Sequence, residues 1–146
     1  MKQWARRGVI LAGLGLSACA PAPRQEAPRI AYNAPAPGSF GLLRTNVKIG
    51  RMEETLVGAE VSKEFFESTR VTPVVGRLFV DGDFSAAAEP VIIIHHEIWQ
   101  ARVGGHSAAV GRRIGLDGRE FTIIGVAPLG YNLPDKANYW LPRRPS

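Results

Sequence analysis

Residues 112–126 read RRIGLDGREFTIIGV, and they leave the chain little freedom. Asp117-Gly118 suits a two-residue type I′ turn, which needs positive φ at both central positions. With those residues in the turn, Leu116 faces Arg119, Ile114 faces Phe121 and Arg112 faces Ile123. Ile114, Leu116, Phe121 and Ile123 then share one apolar face, while Arg113, Glu120 and Thr122 share the other. A slip of one residue would destroy that sorting. The spacing therefore predicts a β-hairpin in this register.

Upstream, TNVKIG and ETLVGAEV read as two short strands around a turn at 50–53. SKEFFESTR reads as a short helix. Ser62 is its N-cap, Glu64 lies where the helix dipole favours an anion, and Val61, Phe65 and Phe66 form its buried side. Pro73 disfavours helix at Thr72 and ends it. RLFV is a further strand, followed by a polar loop, DGDFSAAAEP. VIIIH is a near-continuous β-branched run and predicts a strand covered on both faces. HEIWQARVGG predicts a second helix that buries Ile98, Trp99 and Val103 and stops at Gly104-Gly105. Gly76-Arg77 and Gly111-Arg112 each precede apolar strand residues. There the glycine permits a tight turn and the arginine seeks a carboxylate or backbone carbonyls. The expected class is α+β: a mixed β-sheet with two short helices packed on it and a C-terminal β-hairpin.

Several segments in order, VSKEFFESTRVTPVVGRLF, PVIIIHHEIWQARVGG, VGRRIGLDGREFTIIGVAPLGY and YWLP, together resemble the MacB-like periplasmic core domain of MacB/FtsX-type ABC-transporter permeases. The resemblance spans roughly residues 45–142. It implies an extracytoplasmic, non-enzymatic domain that acts on envelope partners while its permease couples to ATP hydrolysis elsewhere. The chain departs from that architecture. It carries no run of about 20 apolar residues for a permease helix and no GxxxxGK[ST] phosphate loop. Where the family commonly has serine before the second helix, this chain has His95-His96. Where it commonly has Asp-Pro after the double glycine, this chain has His106-Ser107. Histidine is the poorer N-cap, so the start of that helix is expected to be less firmly fixed, or capped by another group.

The N-terminus has its own pattern. Lys2, Arg6 and Arg7 precede an apolar run and then small residues before Cys19, the lone cysteine. That is the layout of a secretory signal. Leu16-Ser17-Ala18-Cys19 resembles a bacterial lipobox, which implies cleavage between Ala18 and Cys19 and acylation of Cys19 by diacylglyceryl and fatty-acyl (palmitate-type) chains. Two or more chains anchor stably where one does not. The expected organisation is a lipoprotein signal peptide at 1–18, a Pro/Ala-rich tether at 19–38, the MacB-like domain at 39–142 and a frayed tail at 143–146. No intrachain disulfide is possible. Of 18 basic residues, three lie in the signal; removing them leaves 15 against 13 acidic residues, a formal +2 in place of +5. The basic character therefore belongs largely to the discarded segment and is no nucleic-acid footprint.

The polar residues offer no catalytic constellation. There is no G-x-S-x-G elbow. His95 and His96 are adjacent on a strand end and point to opposite faces, so they do not chelate one ion together. Asp81, Asp83 and Glu89 lack the spacing of a calcium loop and read as a solvated loop. No cofactor or metal is expected. Tyr131, Tyr139 and Trp140 form an aromatic group near the C-terminus and are the candidate interaction surface, against the alternative of a strand packed on the sheet.

The function expected from these features is a membrane-anchored envelope lipoprotein, not an enzyme. Its domain serves as a binding or adaptor module beside an ABC-type export or envelope-maintenance complex. Its partners are lipid, through Cys19, and an ABC permease or outer-membrane component. It faces the periplasm, with the outer membrane favoured because Ala20 stands where an inner-membrane retention signal would carry Asp. A receptor for a small apolar ligand or peptide, and a detached permease-domain relic, stay open as alternatives.

Overall fold

The computed structural model describes residues 40–145; the expected signal peptide with Ala18, Cys19, the expected tether, position 39 and Ser146 lie outside the described residues. Seven strands and two α-helices follow in the order β1 (Phe40–Ile49), β2 (Met52–Val61), α1 (Lys63–Thr69), β3 (Val75–Gly76), β4 (Val91–Ile94), α2 (His96–Arg102), β5 (Arg113–Leu116), β6 (Arg119–Val126) and β7 (Tyr139–Pro142).

The class is α+β and the sheet is mixed, with parallel β2–β7 and β4–β6 pairs among antiparallel ones. The sheet is not open, however. The order β6-β4-β7-β2-β1-β5 returns to β6, so six strands close into a barrel-like ring, with β3 added beside β6. Closure depends on a short contact, Val47 opposite Leu116 and Lys48 opposite Gly115. The β5–β6 hairpin has the register Leu116↔Arg119 and Ile114↔Phe121, and Asp117 and Gly118 both take positive φ (47° and 83°). It is not the last element, because β7 follows and inserts between β2 and β4.

Side chains alternate between two apolar layers. Inside the ring lie Val47, Ile92, Ile94, Ile114, Leu116, Ile123, Tyr139 and Leu141. On the outer side, Ala59, Val61, Val91, Ile93, Ile124 and Trp140 meet Phe65 and Phe66 of α1 and Tyr131 of the β6–β7 connection. This explains why all four residues of β4 are apolar and buried: both of its faces are covered. The helices do not share one face. α1 covers the outside, while α2 follows β4 and adds Ile98, Trp99 and Val103 to the interior cluster.

RLFV is not a strand. β3 ends at Gly76, and residues 77–80 form no strand. A Cβ on Gly76 would stand 2.1 Å from the Ile124 carbonyl oxygen, and one on Gly125 would stand 2.2 Å from that of Arg77. The paired glycines permit this close backbone approach, at which Arg77 N–H donates to Ile124 O over 2.9 Å.

Arg143 and Arg144, the start of the segment expected to fray, are fastened down. Arg143 N–H donates to Val61 O at 2.9 Å, and Arg144 donates to the carbonyls of Asp83 (3.1 Å), Ala88 (2.7 Å) and Glu89. Phe40 pairs with Val61 on its other side. The first and last described residues thus leave from the same end of the ring.

Candidate functional site

The aromatic group proposed as a surface is not one. Tyr131, Tyr139 and Trp140 are 0–1% exposed. The Trp140 ring centroid lies 5.3 Å from that of Tyr131 and 6.1 Å from that of Phe66, and its indole N–H donates to Leu133 O at 2.7 Å. The clustering in sequence reflects the strand-packing alternative, with β7 threaded through the middle of the sheet.

The other singled-out residues hold the scaffold. Ser62 occupies the N-cap of α1; the Glu64 carboxyl is held below its usual range by its own backbone N–H and by the Ser62 hydroxyl. Arg77 forms a two-pronged contact with Asp83 (2.7 and 3.3 Å), and Val80 N–H adds a third bond at 2.9 Å. Burial raises the Asp83 pKa, but these bonds and the Arg77 charge outweigh it and hold the carboxyl below its ordinary value. Asp83 is therefore a buried anchor and not part of a solvated loop; Asp81 is the exposed one, paired with Lys63 at 2.6 Å. Gly104 and Gly105 take positive φ after α2, and Gly105 N–H donates to Trp99 O at 3.0 Å. Gly111 N–H donates to Ile123 O at 2.8 Å, and Arg112 reaches the Val103 carbonyl at 3.1 Å.

The three histidines serve separate purposes. His95 is the N-cap of α2, and its Nδ1 accepts from Glu97 N–H at 3.2 Å. The imidazole thus does the work commonly given to serine. It is 4% exposed, and burial first of all drives its pKa below the ordinary 6.5. A neutral ring accepting at Nδ1 carries its proton on Nε2, and that atom is buried without a partner. The His96 ring packs edge-on to Trp99 at 5.3 Å, and the His106 carbonyl accepts from the Trp99 indole at 3.0 Å. Among the described residues, no three His, Cys, Asp or Glu side chains come together as a metal site.

An open cleft of about 670 Å³ lies between the two hairpin tips and includes Asn46, Lys48, Glu53, Arg113, Asp117 and Glu120 in its lining. Its carboxylates are committed. Glu53 accepts from Asn46 Nδ2 (2.8 Å), Asp117 accepts from Asn46 N–H (2.9 Å), and Glu120 pairs with Arg113 (3.2 Å). The lining holds no serine, cysteine or histidine to act as nucleophile or base. The arrangement is a polar, open cleft whose carboxylates are already hydrogen-bonded or ion-paired.

Sequence reasoning missed the strand edge. β1 begins at Phe40, five residues before the expected start, and leaves Phe40 and Leu42 47% and 45% exposed. The signal was available: Gly41, Leu43 and Thr45 alternate toward the interior, while Phe40, Leu42 and Arg44 alternate outward. Also missed was the bidentate contact of Arg102 on α2 with Glu54 on β2, at 2.8 and 3.2 Å.

The fold is a barrel-like α+β domain. The MacB-like periplasmic core domain family matches residues 16–144. The chain belongs to that family. Three solved structures share the fold: the extracellular domain of the ABC-type transporter YknZ from Gram-positive bacteria (14% identity, TM-score 0.59), the periplasmic region of MacB from Actinobacillus actinomycetemcomitans (16%, 0.60) and a domain of a permease protein from Porphyromonas gingivalis (18%, 0.54). Each comparison covers 72% of this chain and, respectively, 52%, 46% and 44% of the other, so the chain spans about half the length of these relatives. No curated protein matches it. Among the described residues, no helix is long and apolar enough to cross a membrane.

Proposed function

We propose that the chain is a non-enzymatic envelope lipoprotein, held in the membrane by acyl chains on Cys19, whose core domain is an adaptor for an ABC-type export or envelope-maintenance complex. The observation that carries this reading is membership in the MacB-like periplasmic core domain family. The lipobox-like Leu16–Cys19 stretch and the Pro/Ala-rich segment after it support anchoring, with the domain facing the periplasm and the outer membrane favoured. The committed polar groups of the cleft support binding over catalysis.

The test is a crosslinked pull-down of the C-terminally tagged chain from its own membrane, read by mass spectrometry. Stoichiometric recovery of ABC-permease subunits or an outer-membrane channel is the expected result. Recovery of neither overturns the adaptor role. Separately, Cys19→Ala releases the protein to the soluble fraction; retention in the membrane overturns the anchor.

A further inference from the structure

β1 pairs with β2 along its whole length, but with β5 only at Val47 and Lys48. Asn46 donates its N–H to Asp117 Oδ1 and accepts at its carbonyl from Asp117 N–H, so its backbone groups point away from β2. Backbone direction alternates along an antiparallel strand. The N–H and C=O groups of Phe40, Leu42 and Arg44 therefore also point away from β2, onto a stretch of edge with no strand beside it among the described residues.

Edges of this kind are ordinarily blunted by proline, a bulge or several charges. This one has neither proline nor bulge, and one charge, Arg44, which has no carboxylate in ion-pair distance among the described residues. Phe40 and Leu42 stand half-exposed on the same outer face.

We propose that this edge is a self-association surface, on which β1 of a second copy pairs antiparallel about a two-fold axis at Leu42. That register sets Leu42 opposite its own copy and Phe40 opposite Arg44 of the other chain. All three are outward-facing positions, so every free N–H and C=O among them is satisfied across the axis. The side chains are complementary as well: the two leucines meet, and each guanidinium lies beside a phenyl ring, a favourable cation–π arrangement. The β5–β6 hairpin occupies the edge from Asn46 onward, which confines the pairing to residues 40–44 and fixes its centre. Such a contact is isologous and closes as a dimer without growing into a filament.

The test uses the full chain in a Cys19→Ala background. Sedimentation velocity is expected to show a concentration-dependent dimer that Leu42→Lys abolishes, with the circular dichroism of the variant unchanged and its thermal midpoint equal to that of the parent at concentrations where both are monomeric. Directly opposed residues in such a pair lie about 5.5 Å apart at Cα, within disulfide reach. Leu42→Cys alone should therefore crosslink under mild oxidation. Phe40→Cys and Arg44→Cys should crosslink when mixed but not singly. A monomer at the highest soluble concentration overturns the proposal, as does a dimer that survives Leu42→Lys or crosslinks equally at all three positions.

Discussion

Gly58 lies directly beneath the ring of Tyr139: a Cβ on Gly58 would stand 2.0 Å from the tyrosine Cζ. The two residues face each other across the parallel β2–β7 pair, inside the ring. The aromatic ring fills the space that a side chain on β2 would otherwise take.

Gly58→Ala should therefore be destabilising through overpacking, by about 1–3 kcal/mol, read from the denaturant midpoint. Combining it with Tyr139→Leu should recover part of that loss, because the colliding ring is gone; strictly additive effects would refute the contact. Tyr139→Phe behaves differently. The buried hydroxyl makes no hydrogen bond of good geometry among the described residues; burial pushes its pKa up, and the nearby Thr45 side chain pulls only partly against that. Removing it should leave stability unchanged or raise it by up to about 1 kcal/mol.

Acid should act on His95 first. The fold holds this imidazole neutral, so its pKa is lower folded than unfolded. The unfolded chain then binds the extra proton, and stability rises with pH where the two states differ. The contribution is complete above about pH 6.5, the unfolded value, and is lost as pH falls below it toward the folded pKa. Glu97, whose Oε2 lies 4.0 Å from Nδ1, opposes the shift, while His96 adds to it. Asp83, Glu54 and Glu64 all have lowered values and contribute only at more acidic pH. His95→Asn keeps an N-cap acceptor and should flatten unfolding midpoints measured between pH 7.5 and 5. An unchanged slope would assign the pH dependence elsewhere.

Arg144 offers a third test. Its fork gathers three carbonyls from the 83–89 loop. Arg144→Ala should cost about 1.5–3 kcal/mol, as for hydrogen bonds to a charged group, and should expose the loop to limited proteolysis between 85 and 89. Arg144→Lys should restore little, since an ammonium lacks the planar fork. Equal protease resistance in all three proteins would show that the strap does not hold the loop.

The Glu54–Arg102 contact ties α2 to β2 across 48 residues of sequence. Both side chains are about one-third exposed, so solvent screens the pair. Glu54→Gln should loosen α2 locally, seen as faster amide exchange in residues 96–102, while the global unfolding midpoint barely moves. A large midpoint shift with unchanged exchange would reverse that assignment.

What was legible in the sequence was local. Asp117-Gly118 dictates its own turn, and the turn dictates the register of Ile114 against Phe121. The uninterrupted Val91–Ile94 run announces a strand with two covered faces. Ring closure was not legible, because Val47 and Leu116 meet across almost half the chain and no local pattern names a strand's partner. RLFV alternates like a strand, yet the ladder beside β6 stops at Gly76, where the two backbones approach too closely for a Cβ. The aromatic residues near the C-terminus read as a surface in the sequence, because closeness to a chain end says nothing of their burial in the fold. His95 was recognised as a poor cap by type. Only the fold reveals that burial keeps its ring neutral and able to accept.

Phe40 and Arg143 flank Val61 on either side, about two strand spacings or roughly 10 Å apart. A domain that receives and releases its chain at one place behaves as a cassette. It can be spliced into a loop, hung from a single stalk or set between two helices without disturbing a buried contact. The same barrel is thus portable between architectures, and the connection outside it decides what it is tied to.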